Sequence, residues 1–77
     1  MNSLRCDSVG IGKRIREKRK ELNISGEQLA NMSGINVKTL YNIELGKKCI
    51  SFNSFSMIVE ALDVSADWLM GREFKER

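Results

Sequence analysis

The sequence predicts an all-α fold, a compact bundle of five short helices, and three observations predict it. Apolar residues recur at helical spacing in successive segments between residues 11 and 70, with charged and polar residues between them. A serine or asparagine suited to an N-cap stands before each of the last four segments, at Ser25, Asn36, Ser51 and Ser65. The chain has no proline, and its β-branched residues are scattered instead of alternating along strands.

Residues 1–10 open with no period and read as a flexible N-terminal arm. Helix 1 is predicted over 11–22, where Ile11, Ile15 and Leu22 share one face and Asn23 breaks the run. Ser25 and Gln28 form a capping-box pattern ahead of Leu29, Ala30 and Met32, and Gly34 suits the C′ position, so helix 2 spans 26–33. Asn36 caps helix 3, at 37–45, whose buried stripe is Leu40 and Ile43 and whose stop is Gly46. After a loop at 46–51, Phe55, Ile58, Val59 and Leu62 give helix 4, at 52–62, its apolar face, with Asp63 at its end. Helix 5, at 66–70, carries Trp68 and Leu69 and closes at Gly71, and residues 72–77 read as a frayed tail. The domain proper is 11–71, without repeat or linker. At 77 residues it buries only about 60% of the surface its unfolded chain exposes, which predicts modest stability.

Charge and composition exclude several classes. The net charge of +3 is mild, but Lys13, Arg14, Arg16, Lys18, Arg19 and Lys20 cluster against the single acid Glu17. Such a run fits a polyanion-binding face and a merely solvated helix equally well. The chain has no histidine, and Cys6 and Cys49 lack metal-ligand spacing, so neither a metal nor another cofactor is expected. The two cysteines are expected as free thiols in a reducing cytosol, not as a bridge between a ragged N-terminus and a mid-chain loop. No apolar run is long enough to span a membrane and residues 1–10 lack a signal-peptide core, which points to the cytoplasm. Neither cysteine nor any serine has an evident general base beside it, so no enzymatic activity is expected.

The informative unit is 25–46, a short helix, a tight turn at Gly34 and a second short helix. Helices joined this closely cross steeply, and Leu29, Ala30, Ile35, Leu40 and Ile43 are the apolar residues available to lock the crossing. Spacing alone also suits a plain helical hairpin in some other bundle. The segments IGKRIREKRKEL, ISGEQLANMSGINVKTLYNIELGK and ALDVSADWLMG, in this order, resemble the Cro and lambda-repressor (XRE-type) helix-turn-helix family across residues 11–71. The resemblance implies a lambda-repressor-like five-helix DNA-binding domain with helix 3 in the major groove, bound as a homodimer to two half-sites about one helical turn apart. The chain departs from the family in having Gly26 where a phosphate-touching glutamine is frequent, Ile50 where proline precedes helix 4, and Asp63 where glycine ends it. Aspartate tolerates the left-handed cap conformation better than most residues with a side chain.

With Leu40 and Ile43 inward, Lys38 and Asn42 lie opposite, Tyr41 and Leu45 flank them, and Val37 and Thr39 sit near the helix start. Val37, Lys38, Thr39, Tyr41 and Asn42 are therefore the base-contacting candidates, set against a reading of each as an ordinary surface residue. Lysine suits guanine O6 or N7, asparagine suits adenine N6 and N7, and valine suits a thymine methyl. Val37, Lys38 and Asn42 also match the base-contacting positions that the resemblance implies. Phosphate candidates are Ser25, Gly26 and Glu27 at the start of helix 2 and Lys47 and Lys48 after helix 3, with Arg14 and Lys18 on helix 1 weaker. Arg19 falls on the stripe of Ile11 and Ile15 and needs a partner, which Glu44, one turn beyond Leu40, supplies; two independent surface charges are the competing reading. A similar Arg–Glu pair occurs in the family resembled. Trp68, with Phe52, Met70 and Phe74, reads as half core and half dimer patch, or as domain packing alone.

The function expected from these features is sequence-specific transcriptional regulation, as a repressor, with double-stranded DNA and a second copy as partners. The alternative is an antitoxin-like or antagonist subunit that binds a protein partner, such as a toxin or antirepressor. Such a helix would present more outward apolar surface than Tyr41 and Leu45 provide. Only six residues follow Gly71, so regulation is expected from concentration, dimerisation, proteolysis or a separate partner.

Overall fold

Five helices form the computed structural model, which describes residues 6–72: α1 (Ser8–Glu21), α2 (Gly26–Ser33), α3 (Val37–Glu44), α4 (Phe52–Leu62) and α5 (Ala66–Leu69). The helices α2 and α4 have the bounds that capping chemistry predicts, and α3 and α5 each end one residue earlier. Ser51 and Ser65 accept the backbone N–H groups of Ser54 and Trp68, at 3.1 and 2.9 Å. Asp63 closes α4 in the left-handed conformation, φ 57°.

The start of α1 differs from the expectation. Ser8, Val9 and Gly10, read from the sequence as the end of the arm, form its first turn. The Asp7 carboxylate caps that turn by accepting the Gly10 N–H at 3.1 Å. Val9 is exposed, so this turn adds nothing to the apolar stripe from which periodicity is read. At the other end Leu22, expected on the buried face, is the exposed C-cap residue. Met32 of α2 is likewise exposed.

The cysteine expectation is corrected outright. Cys6 and Cys49 form a disulfide, with their Cα atoms 6.0 Å apart. The start of α1 lies beside the end of α3, where Val9 packs against Gly46, and this carries Cys6 onto the loop before α4. A separation of 43 residues hides that proximity from the sequence.

One core fills the space between helices. Ile11 and Ile15 of α1, Leu29 and Ala30 of α2, Leu40 and Ile43 of α3, Ile58 and Leu62 of α4 and Leu69 of α5 are all buried. Ile35, Val37, Phe55, Val59 and Trp68 pack around them, partly buried. The helix α3 lies between α1 and α2; α4 backs α2, and α5 returns to α1. No helix among the described residues is long and apolar enough to cross a membrane.

Two features set the distance between α1 and α3. Gly12 is buried against the α3 backbone, and a Cβ there would lie 2.8 Å from the Glu44 carbonyl oxygen and closer still to that of Ile43. About two turns along α1, Arg19 grips Glu44 with two parallel bonds, Nε to Oε2 at 2.8 Å and Nη2 to Oε1 at 2.9 Å. Its Nη1 also donates to the Ile24 carbonyl at 3.2 Å. The two side chains are 13% and 4% exposed, so this is the partly buried pair that helical position anticipated. Hydrogen bonding to Glu44 raises the Arg19 pKa, against the opposing effect of burial.

Two predictions follow from this packing. Glu44→Ala leaves Arg19 half-buried without its partner and is expected to cost about 3–5 kcal/mol in urea unfolding. Lys13→Ala, at an exposed position, is expected to stay within about 0.5 kcal/mol of the parent, and equal midpoints for the two variants would refute the clamp. Reduction of the disulfide, or Cys49→Ser, is expected to lower stability by about 2–4 kcal/mol, because the cross-link restricts the unfolded chain. A urea midpoint indifferent to dithiothreitol would contradict that.

Candidate nucleic-acid interface

The capping box at the start of α2 is formed in both directions. The Gln28 N–H donates to Ser25 Oγ at 3.0 Å, and the Ser25 N–H donates to Gln28 Oε1 at 2.8 Å. Ser25 therefore has its backbone N–H engaged, and only its hydroxyl hydrogen is left for an outside acceptor. The Gly26 and Glu27 N–H groups have no acceptor among the described residues and point out of the helix start.

The turn that follows is short because Gly34 takes the left-handed conformation, φ 71°, at the end of α2. The Ile35 N–H returns to the Ala30 carbonyl at 3.0 Å, and Asn36 then starts α3 by accepting the Lys38 N–H at 2.8 Å. Leu40 and Ile43 point into the core, which fixes the roll of α3 about its axis. Lys38 and Tyr41 are consequently exposed, while Val37, Thr39 and Asn42 are half-buried. Among the described residues, Lys38 has no ion-pair partner and nothing hydrogen-bonds the Asn42 side chain. Lys47 and Lys48 extend this surface, and the Lys47 N–H to the Asn42 carbonyl, at 3.0 Å, ties their loop to the last turn of α3. Both lysines are exposed.

Not every sequence candidate reaches this surface. The Arg14 guanidinium turns the other way: Nε donates to the Leu69 carbonyl at 2.7 Å and Nη2 lies 3.4 Å from Asp7. It ties α1 to α5, and its expected place among the phosphate contacts is not supported by where it sits. Lys18 pairs with Glu21 at 3.2 Å and Arg19 with Glu44, so half of the basic run on α1 is engaged within the fold. Lys13, Arg16 and Lys20 remain exposed.

One arrangement was not legible in the sequence. The Tyr41 ring lies against Gly26, which is buried beneath it. On its far side a cleft opens between α1 and α3, walled by Arg16, Arg19, Glu44 and Leu45. Because Arg16 and Tyr41 stand on different helices, no periodicity relates them.

A helix-turn-helix family model matches residues 15–69, which span every element just described except the start of α1 and the residues that follow α5. Among solved structures, the chain is similar to the restriction-modification controller protein C.AhdI from Aeromonas hydrophila. The two are 32% identical, and the match has a TM-score of 0.78 over 82% of this chain and 96% of that one. No curated protein sequence matches significantly. With more than half of its length matched, and with the short turn at Gly34 holding α3 beside α2 as that architecture requires, the chain belongs to the helix-turn-helix family.

Proposed function

We propose that the chain is a sequence-specific transcriptional regulator that lays α3 in the major groove of duplex DNA, a repressor and not an enzyme. The observation that carries this reading is the outer face of α3. Lys38 and Asn42 have no side-chain partners there among the described residues, on a helix whose inner face is anchored in the core. A recognition helix makes its base contacts chiefly near its N-terminus. In this role Lys38 donates to guanine, Asn42 pairs with adenine, Val37 at the helix start touches a thymine methyl, and Thr39 lies beside them. The Gly26 and Glu27 N–H groups, the Ser25 hydroxyl, Lys47 and Lys48 face the flanking phosphates. Steric exclusion of polymerase by the bound domain is sufficient for repression and requires no further chemistry.

A homodimer completes the reading. Phe52 is 84% exposed at the first position of α4. Beside it a cavity of about 500 Å³ is lined by Ile11, Ile50, Phe55, Ala66 and Met70. A two-fold contact that places each Phe52 in its partner's cavity is self-complementary and removes both apolar surfaces from water. Phe74, expected in the same patch, lies outside the described residues. A regulator of this kind acts in the cytoplasm in this reading, where the thiol pool sets whether the Cys6–Cys49 bridge is closed, so binding is to be measured both with and without reductant.

Selection from a random duplex pool is expected to enrich a two-fold-symmetric site. Lys38→Ala and Asn42→Ala are each expected to relax preference at one base pair per half-site, by about 1–3 kcal/mol, with unchanged circular dichroism. If a dimer neutralises about eight phosphates, the slope of log K against log salt is near −7, and Lys47→Ala is expected to make it shallower. No enrichment would overturn the reading. Phe52→Asp is expected to shift sedimentation towards the monomer, and an unchanged dimer would exclude Phe52 from the interface.

A further inference from the structure

Gly26 and Tyr41 meet where α3 crosses the start of α2. A Cβ on Gly26 would lie 2.7 Å from Tyr41 Oη and 2.8 Å from Cζ, so the ring occupies the volume that any other residue at 26 would claim. This seat holds Tyr41 on the α2 side of α3. The phenol is nevertheless 41% exposed, and its hydroxyl has no hydrogen-bond partner among the described residues. On the other flank the cleft is walled by two arginines. Arg19 is engaged by Glu44, but Arg16 is exposed and has no ion-pair partner among the described residues. A free hydroxyl donor and a free guanidinium thus border one opening.

In a helix-turn-helix, the first helix of the pair crosses the sugar-phosphate backbone while the second enters the groove. A side chain seated on the first residue of α2 accordingly faces the backbone and not the base edges. Resting on the DNA reading above, we propose that Tyr41, seated on Gly26 and flanked by Arg16, hydrogen-bonds a phosphate of the duplex and is not a base reader. Gly26 is then a positioning residue: its missing side chain is what lets the phenol stand at the helix start. The contact is neutral on the protein side, so it adds affinity without sequence preference and without releasing a further counterion.

The test compares dissociation constants of the parent, Tyr41→Phe, Gly26→Ala, the double variant and Asn42→Ala, on the selected site and on a scrambled duplex of equal length across a salt series. Tyr41→Phe is expected to weaken binding to both duplexes by a similar factor, roughly 10-fold, the loss of one hydrogen bond to a charged acceptor. The preference ratio and the salt slope stay unchanged. Gly26→Ala is expected to match that loss, and the double variant to be no weaker than Gly26→Ala alone, because both changes remove one contact. Asn42→Ala, by contrast, lowers the ratio. Circular dichroism melts establish that each variant is folded, and Tyr41→Phe carries the test if Gly26→Ala does not fold. Unchanged affinity of Tyr41→Phe for both duplexes, or a loss confined to one base pair of the site, overturns the proposal and leaves the DNA reading standing. A parent that binds no duplex overturns both.

Discussion

Contact between α1 and α3 at backbone distance is the constraint on which the rest of the molecule depends. Gly12 lets the two helices approach until the carbonyl oxygens of Ile43 and Glu44 fill the space where a side chain would begin. The Arg19–Glu44 fork fixes the rotation that packing alone would leave loose, since parallel bonds are directional while apolar contact is not. With Leu40 and Ile43 buried, α3 has one roll available. Every statement about which α3 side chains face outward inherits that restriction. A surface helix of only eight residues has no independent stability, so its presentation is a property of the core behind it.

The charge distribution shows why a basic run is weak evidence by itself. In the sequence, residues 13–20 are the most basic stretch of the chain. In the fold, Arg14 bonds the Leu69 carbonyl, Lys18 pairs with Glu21 and Arg19 holds Glu44. Arg14 and Arg19 tie α1 to α5 and α3, and Lys18 is paired within α1 itself. Among the described residues, the lysines without an ion-pair partner are Lys13 and Lys20 on α1 and Lys38, Lys47 and Lys48 on the surface that α3 and its following loop share. Mild net charge is compatible with an exposed group of lysines, because Arg14, Lys18 and Arg19 are paired locally.

The same economy of core explains the exposed apolar side chains. A domain this small has too little interior to cover every large residue. Phe52 and Leu45 are left in water, whereas Trp68 is half covered by the core. Phe52 lies at the edge of an apolar cavity; nothing in the fold explains the exposure of Leu45. The disulfide lies along the rim of that cavity, joining Cys6, just before the Asp7 cap of α1, to the loop before α4. This cross-link compensates for limited burial in a way that length and composition alone did not suggest.

Local physics was written in the chain and non-local physics was not. Capping chemistry set the bounds of α2 and α4, because Ser25, Gln28, Ser51 and Asp63 act within four residues of their targets. The Arg19–Glu44 pair was also legible, since each charge falls on a face whose burial periodicity reveals. Against this, Ser8–Gly10 was misread because an exposed first turn leaves no periodic trace. Cys6–Cys49, the diversion of Arg14 to Leu69 and the seating of Tyr41 on Gly26 join residues 43, 55 and 15 positions apart. Spacing along a chain encodes which face of a helix is buried. It does not encode which foreign atom will meet that face, and only the packing of helix on helix decided those meetings.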